Sequence, residues 1–236
     1  MAKGQRSYDY SPTHRAAEVI AITSLFALVI AGAWRAFGAA EGLQTLWIGA
    51  AIFFGYVLAD FCSGFVHWMA DRYGTVDTPY VGPNYVKPFR EHHSDPKEMT
   101  RHDFIETNGN NSIVTVPLMA SAWFIPVGSS LGLFLFTALV SLAFWVFLTN
   151  QFHKWAHLEE VPAIIHRLQR AGIVLDVDHH NVHHTAPHDK YYCITSGWLN
   201  PPLDKIQFWL RTEQLIEKLT GMAAYQDPKY LNTKKA

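Results

Sequence analysis

Four long stretches of this chain carry almost no charged side chains, and they restrict its possible folds more than any other feature. They cover residues 17–34, 43–66, 113–127 and 130–149. A helix needs about 20 mainly apolar residues to cross the hydrocarbon core of a bilayer. The third stretch is short for this and contains Pro117 and Pro126. The sequence therefore predicts an all-α integral membrane protein with four transmembrane helices.

Two alternative interpretations of these apolar stretches are weaker. Four buried core helices of a soluble protein would leave little of a 236-residue chain to cover them. A cleaved signal peptide is disfavoured because residues 1–18 are largely polar.

The basic residues indicate the orientation of the spans. With four spans, the N-terminal arm, the loop after the second span and the C-terminal tail lie on one side, and every Lys and Arg except Arg35 falls there. In membrane proteins, the loops on the cytoplasmic side carry an excess of Lys and Arg. We therefore predict two cytoplasmic termini, in a bacterial inner membrane or the endoplasmic reticulum, and a cytoplasmic cap built from residues 67–112 and 150–224. The net charge of −1 argues against a nucleic-acid partner.

Most of the 13 histidines fall in four short segments of this predicted cap. Several are spaced i, i+4, which places both side chains on one face of a helix. Imidazoles with one or two carboxylates are suitable ligands for iron, zinc or copper. The set is larger than one metal needs, so the sequence predicts a di-metal cap. The predicted ligands are His67, Asp71, His92, His93, His153, His157, His180, His183 and His184.

Other polar residues near these segments are open between binding a metal and hydrogen bonding to a ligand: His102, His179, Asp103 and His188. Asp60 lies inside the second span, where a carboxylate is costly and usually functional. We predict that Asp60 hydrogen-bonds a ligand histidine and fixes its tautomer. The alternative is a carboxylate that snorkels to the membrane interface or pairs with other polar groups.

A histidine-rich site at the membrane surface, above an apolar helix bundle, suits oxidation of a lipid chain lying between the helices. The sequence has no dinucleotide-binding or phosphate-binding glycine motif, so electrons would come from another protein. It also has no Gly-x-Ser-x-Gly elbow, so a lipase is unsupported.

Longer motifs surround these histidines. They are Ala59–Phe61, Ser63–Gly64, His67–Asp71, Pro88–His93, Arg101–Gly109, Thr149–His157, His179–His184, Pro187–His188, Cys193–Thr195 and Gly197–Asn200. Together they resemble the lipid desaturase family of plasmanylethanolamine desaturases, which includes a plant chloroplast desaturase acting on phosphatidylglycerol. The resemblance runs from about Gly55 to Thr220, and we treat residues 1–236 as one lipid desaturase domain.

The resemblance implies an enzyme with two non-heme iron ions that uses molecular oxygen and an external electron donor, either cytochrome b5-like or ferredoxin-like. The plasmanyl branch of the family makes the vinyl ether of plasmalogens from an alkyl ether phospholipid of the membrane. Two histidine boxes carry over, His153–His157 and His180–His184. The first box differs from that of general membrane fatty-acyl desaturases, because Asp71 stands where a histidine is expected. The exact ligand count therefore stays open.

Two alternatives remain. Within the same chemistry, the chain would be an acyl-lipid desaturase or hydroxylase. In a different class, it would be a histidine-rich metal transporter, but transporters place their ligands near the bilayer midplane in broken helices. Every histidine segment here lies outside the predicted spans.

Overall fold

The computed structural model describes residues 11–79 and 81–226, and all regular secondary structure in these ranges is helical. The helices are α1 (Pro12–Ala39), α2 (Gln44–Arg72), α3 (Lys87–His92), α4 (Phe104–Ser121), α5 (Ser130–His157), α6 (Ala163–Arg170), α7 (Val177–His183), α8 (Asn200–Lys205) and α9 (Phe208–Thr220). A π-helical turn at Gly82–Val86 precedes α3, and 3₁₀ turns cover Glu98–Arg101 and Ala122–Phe124.

Three helices among the described residues, α1, α2 and α5, are long and apolar enough to cross a membrane. Each has 28 or 29 residues and is about 42 Å long, more than the roughly 30 Å of hydrocarbon. All three extend beyond the predicted apolar stretches, and the last two turns of α2 and α5 carry predicted ligands.

The predicted third span is not one of these three. It falls in α4, which begins at Phe104, nine residues earlier than its apolar stretch. The first half of α4 carries Glu106 and the polar run Asn108 to Asn111, which lowers its mean hydropathy. Length and composition therefore support three spans among the described residues.

One compact unit comprises residues 1–56 and 102–151, of which 11–56 and 102–151 are described. Apolar side chains from α1, α4 and α5 fill its first core cluster: Ile22, Leu25, Met119, Ala143 and Phe147. Buried amides link α4 to α5, since Asn108 Nδ2 lies 3.1 Å from Gln151 Oε1 and Asn111 Nδ2 lies 2.9 Å from the Val146 carbonyl. Two amides in the polar half of α4 therefore donate hydrogen bonds to α5 inside this unit.

A second compact unit comprises the described residues of 57–101 and 152–226. Its largest core cluster is aromatic: Trp68, Tyr73, Tyr192, Cys193 and Trp209. A half-buried ion pair joins α2 to α9, with Arg72 Nε 2.7 Å and Nη2 2.9 Å from the Glu213 carboxylate. The same carboxylate accepts a hydrogen bond from Trp68 Nε1. Every predicted metal ligand belongs to this unit.

We expect Gly55→Ala to destabilise the protein. A Cβ at Gly55 would lie 2.6 Å from Ser141 Cβ and 2.7 Å from the Ala138 carbonyl oxygen, so α2 and α5 must separate. Overpacking of this kind costs about 1–3 kcal/mol. The control is Gly49→Ala on the same helix, where a Cβ meets nothing within 4 Å and alanine stabilises the helix by roughly 0.5–1 kcal/mol. The free energy of unfolding in detergent is measured for both variants. Equal changes in the two would contradict the close packing of α2 on α5.

Candidate metal centre

Five imidazoles converge in a first cluster, called here the five-histidine group: His92, His153, His157, His180 and His184. His153 and His157 lie one turn apart at the end of α5, and His180 and His184 lie one turn apart at the end of α7. His92 is the last residue of α3. The Nε2 atoms of neighbouring rings are 2.9–3.2 Å apart.

Three imidazoles and one carboxylate form a second cluster, called here the aspartate group: His67, Asp71, His93 and His183. His67 and Asp71 lie one turn apart at the end of α2. Asp71 Oδ2 is 3.3 Å from Nε2 of both His67 and His93 and 3.5 Å from Nε2 of His183. In each group the ligand atoms lie within 4.8 Å of one another.

The two groups are neighbours because two short segments supply both. His92 joins the five-histidine group while the adjacent His93 joins the aspartate group. At the end of α7, His183 belongs to the aspartate group, whereas His180 and His184 belong to the five-histidine group. Successive helical residues point about 100° apart, so one helix can reach two adjacent sites. The structure thus brings all nine predicted ligands together, in two groups.

The donor set fits two metal ions. A metal–nitrogen bond is about 2.0–2.1 Å, so two ligands at right angles have nitrogens about 2.9 Å apart, close to the observed separations. The Nδ1 of His67 lies 3.1 Å from the Tyr192 carbonyl and that of His183 lies 2.8 Å from the Lys190 carbonyl. Because a carbonyl only accepts, each Nδ1 carries the proton and each Nε2 of the neutral ring keeps a lone pair.

Buried atoms without hydrogen-bond partners support the same fit. Among the described residues, His67 Nε2 and both carboxylate oxygens of Asp71 have no hydrogen-bond partner. Burying such groups unsatisfied is costly, and coordination of a cation is one way to satisfy them together.

Burial keeps four of these imidazoles neutral: His92, His180, His183 and His184. It lowers the pKa of His92 and His180 well below the usual value. It also lowers the pKa of His183 to about 3 and that of His184 to about 2, with neighbouring imidazoles adding to the effect. At neutral pH the rings are therefore in the form that binds a metal.

The four residues that the sequence left open between binding a metal and hydrogen bonding to a ligand lie outside both groups. His179 Nε2 is 3.1 Å from Asn200 Nδ2. His102 Nε2 is 3.8 Å from Glu106, and Asp103 caps α4 and pairs with Arg15 at 2.8 Å. His188 stacks on the ring of His93 at 4.4 Å, and its Nδ1 lies 3.0 Å from the His183 carbonyl.

The prediction that Asp60 hydrogen-bonds a ligand histidine is corrected by the structure. The carboxylate accepts hydrogen bonds from backbone N–H groups of residues 195–199 instead. Sequence reasoning also missed the Lys190 and Tyr192 carbonyls that hold two ligands, because backbone groups are the same in every residue type.

A small cavity of about 60 Å³ reaches the aspartate group. Arg90 lies on its wall with its guanidinium carbon 3.9 Å from the Tyr225 ring centroid. The lining residues are Asp71, Arg72, Arg90, His93, Pro187, His188 and Tyr225. Two of the candidate ligands, Asp71 and His93, therefore line this cavity.

Comparison with known proteins identifies the family to which the chain is similar. The model of the lipid desaturase domain matches residues 56–227. Plasmanylethanolamine desaturase of Myxococcus xanthus is 45% identical over 218 residues, which cover 92% of this chain and 77% of that protein. Plasmanylethanolamine desaturase 1 of Mus musculus is 42% identical, covering 90% of this chain and 80% of that protein. Fatty acid desaturase 4-like 1, chloroplastic, of Arabidopsis thaliana is 32% identical, covering 86% and 67%. No solved structure matches the chain significantly.

We expect the metal-free protein to lose stability as the pH falls below about 6.5. Unfolded histidines bind protons there, whereas His183 and His184 stay neutral until about pH 3 and about pH 2. Each of these histidines therefore lowers the free energy of unfolding by up to about 1.4 kcal/mol per pH unit in this window.

The free energy of unfolding in detergent between pH 7 and pH 5 measures the slope. His184→Gln should make it shallower, while Asn181→Ala, an exposed change on the same helix, should not. Identical slopes for His184→Gln and wild type would contradict the burial effect.

Proposed function

The chain belongs to the lipid desaturase family, and we propose that it converts plasmanylethanolamine, an alkyl ether phospholipid, into the vinyl ether plasmalogen at a centre of two non-heme iron ions. It is a desaturase, and therefore an oxidoreductase, of membrane lipids. The observation that carries the proposal is the convergence of nine ligand side chains in two groups, in a chain whose relatives at 45% and 42% identity are named plasmanylethanolamine desaturases.

The reaction removes two hydrogen atoms from adjacent carbons of the alkyl chain. Molecular oxygen takes these two hydrogens together with two electrons and two protons and leaves as two waters. Bound iron would supply the activation of oxygen that this chemistry requires. The five-histidine group would hold one ion and the aspartate group the other, while the Lys190 and Tyr192 carbonyls keep the His183 and His67 rings in the ligating tautomer.

The position of the ligands along the helices favours a bond near the lipid headgroup. His67 and Asp71 lie in the last two turns of α2, and His153 and His157 lie in the last two turns of α5. The ends of spanning helices lie at the membrane surface. The ether oxygen and the first carbons of the alkyl chain lie at the same depth. This placement supports desaturation beside the ether oxygen.

We propose that α4 with the following 3₁₀ turn supplies the fourth crossing. It runs alongside α1: Gly109 lies against Glu18 near one end, and Trp123 lies against Gly32 near the other. Arg35 Nη1 and Nη2 donate to the carbonyls of Trp123 and Ile125. The stretch of α1 from Glu18 to Arg35 is about 26 Å long, which approaches the thickness of the hydrocarbon core.

Four crossings would place both termini on one side. The distribution of Lys and Arg assigns that side to the cytoplasm, in a bacterial inner membrane or the endoplasmic reticulum. Two of the arm's cations, Lys3 and Arg6, lie outside the described residues. The electron donor would be a cytochrome b5-like or ferredoxin-like protein.

A second candidate is an acyl-lipid desaturase of the same di-iron type. The 32% identical Arabidopsis thaliana relative, named a fatty acid desaturase, favours it. The type of double bond in the product distinguishes the two candidates.

We expect cells that contain alkyl ether lipids but make no plasmalogen to gain acid-labile vinyl ethers when they express this chain. His153→Ala, His157→Ala, His183→Ala and His184→Ala should each lower the yield at least a hundredfold, because no neighbouring group replaces a lost ligand. His166→Ala, on α6 and outside both ligand groups, is the control. Lipid mass spectrometry reads out both bond types. A new acyl double bond without vinyl ether would reject the substrate, and fully active ligand variants would reject the site.

We expect reporters fused to either terminus to report the cytoplasmic side. The reason is that four crossings return the chain to its starting side. An alkaline phosphatase and a fluorescent protein, fused in turn to each end, make the measurement. A fusion at residue 128, in the turn before α5, should report the opposite side and serves as the control. Opposite sides for the two termini would instead support three crossings.

A further inference from the structure

Asp60 is a fully buried carboxylate whose hydrogen-bond partners are backbone N–H groups of one loop. Its Oδ1 accepts from Thr195 N at 3.1 Å, Ser196 N at 2.8 Å and Gly197 N at 2.9 Å. Its Oδ2 accepts from Leu199 N at 3.1 Å. Four charge-assisted hydrogen bonds can offset the cost of burying the carboxylate within a spanning helix.

Two further side chains attach the chain just before this loop. Ser63, one turn after Asp60 on α2, accepts a hydrogen bond from Ile194 N at 3.0 Å. Asn200 holds both backbone groups of Cys193, accepting from its N–H at 2.8 Å and donating to its carbonyl at 2.9 Å. A Cβ at Gly64 would lie 3.0 Å from Cys193 N, so the segment lies directly on α2. Its position is therefore fixed by α2.

The same segment carries the carbonyls that hold two ligands of the aspartate group. Tyr192 O accepts from Nδ1 of His67 and Lys190 O accepts from Nδ1 of His183. Tyr192 is three residues before the first N–H that Asp60 binds. A shift of this segment would rotate both rings or break the hydrogen bonds that fix their tautomers. The five-histidine group differs, because among the described residues its rings have hydrogen-bond contacts with one another and none with a backbone carbonyl.

We propose that Asp60 is a positioning residue for the aspartate group. It touches none of the candidate ligands, and it acts by clamping residues 195–199 so that the Tyr192 and Lys190 carbonyls stay bonded to His67 and His183. The proposal rests on the proposed di-metal function. It adds that one buried carboxylate supports one of the two metal positions and has little effect on the other.

The test measures metal binding, not turnover. Wild type, Asp60→Ala and Asp60→Asn are purified in detergent without metal and titrated anaerobically with ferrous ⁵⁷Fe. Bound iron per chain is counted, and Mössbauer spectra separate a position with only nitrogen ligands from one that includes a carboxylate. His184→Ala identifies the signal of the five-histidine group. Asp103→Asn is the matched control, because it also alters a carboxylate that accepts backbone N–H groups, at the start of α4.

We expect two irons for wild type and Asp103→Asn. Asp60→Ala should keep the iron of the five-histidine group and bind the other at least tenfold more weakly. Asp60→Asn should bind the second iron with intermediate affinity, since an amide oxygen can still accept the three N–H groups at Oδ1. If Asp60→Ala does not fold, Asp60→Asn decides: wild-type affinity at both positions overturns the proposal.

Equal weakening of both irons in a folded variant, or two irons bound by Asp60→Ala with wild-type affinity, also overturns the proposal. Wild type that binds two irons but yields no vinyl ether would reject the proposed substrate and leave the role of Asp60 standing. Wild type that binds no iron would overturn both.

Discussion

Nine candidate ligand side chains converge at short range in a largely buried site, and this convergence is the main constraint on the compact unit that holds them. Polar nitrogen and oxygen atoms of this kind would normally be solvated, and burying them is costly unless a partner satisfies them. Here burial also holds the imidazoles neutral, so their lone pairs remain available. The same burial that makes the metal-free site costly to fold thus prepares it for a cation.

Helices solve much of this geometric problem locally. Three pairs of ligands are spaced i, i+4, on α2, at the end of α5 and at the end of α7, so each pair is aligned by backbone hydrogen bonds alone. Fewer degrees of freedom remain to be fixed by tertiary contacts. Those contacts come from backbone carbonyls of residues 190–192, which act on individual rings of the aspartate group.

The two groups differ in charge as well as in ligand number. The five-histidine group offers neutral nitrogen donors, whereas the aspartate group includes a carboxylate. A carboxylate offsets part of the charge of a bound cation, so the two positions differ in electrostatic environment. Asp71 stands where general membrane fatty-acyl desaturases are expected to have a histidine. This carboxylate is therefore what distinguishes the aspartate group from the five-histidine group in charge.

Much of this architecture is determined by local sequence. The long apolar helices α1, α2 and α5, and the pairing of six of the nine candidate ligands by helical turns, follow from apolar length and i, i+4 spacing, which depend on neighbours in the chain. Tertiary structure decided the rest. It assigned His92 and His93 to different groups and gave Asp60 backbone partners in place of a histidine. These outcomes depend on which distant segments meet, and the partners of Asp60 are N–H groups that every residue except proline carries, so no residue type in the sequence identifies them.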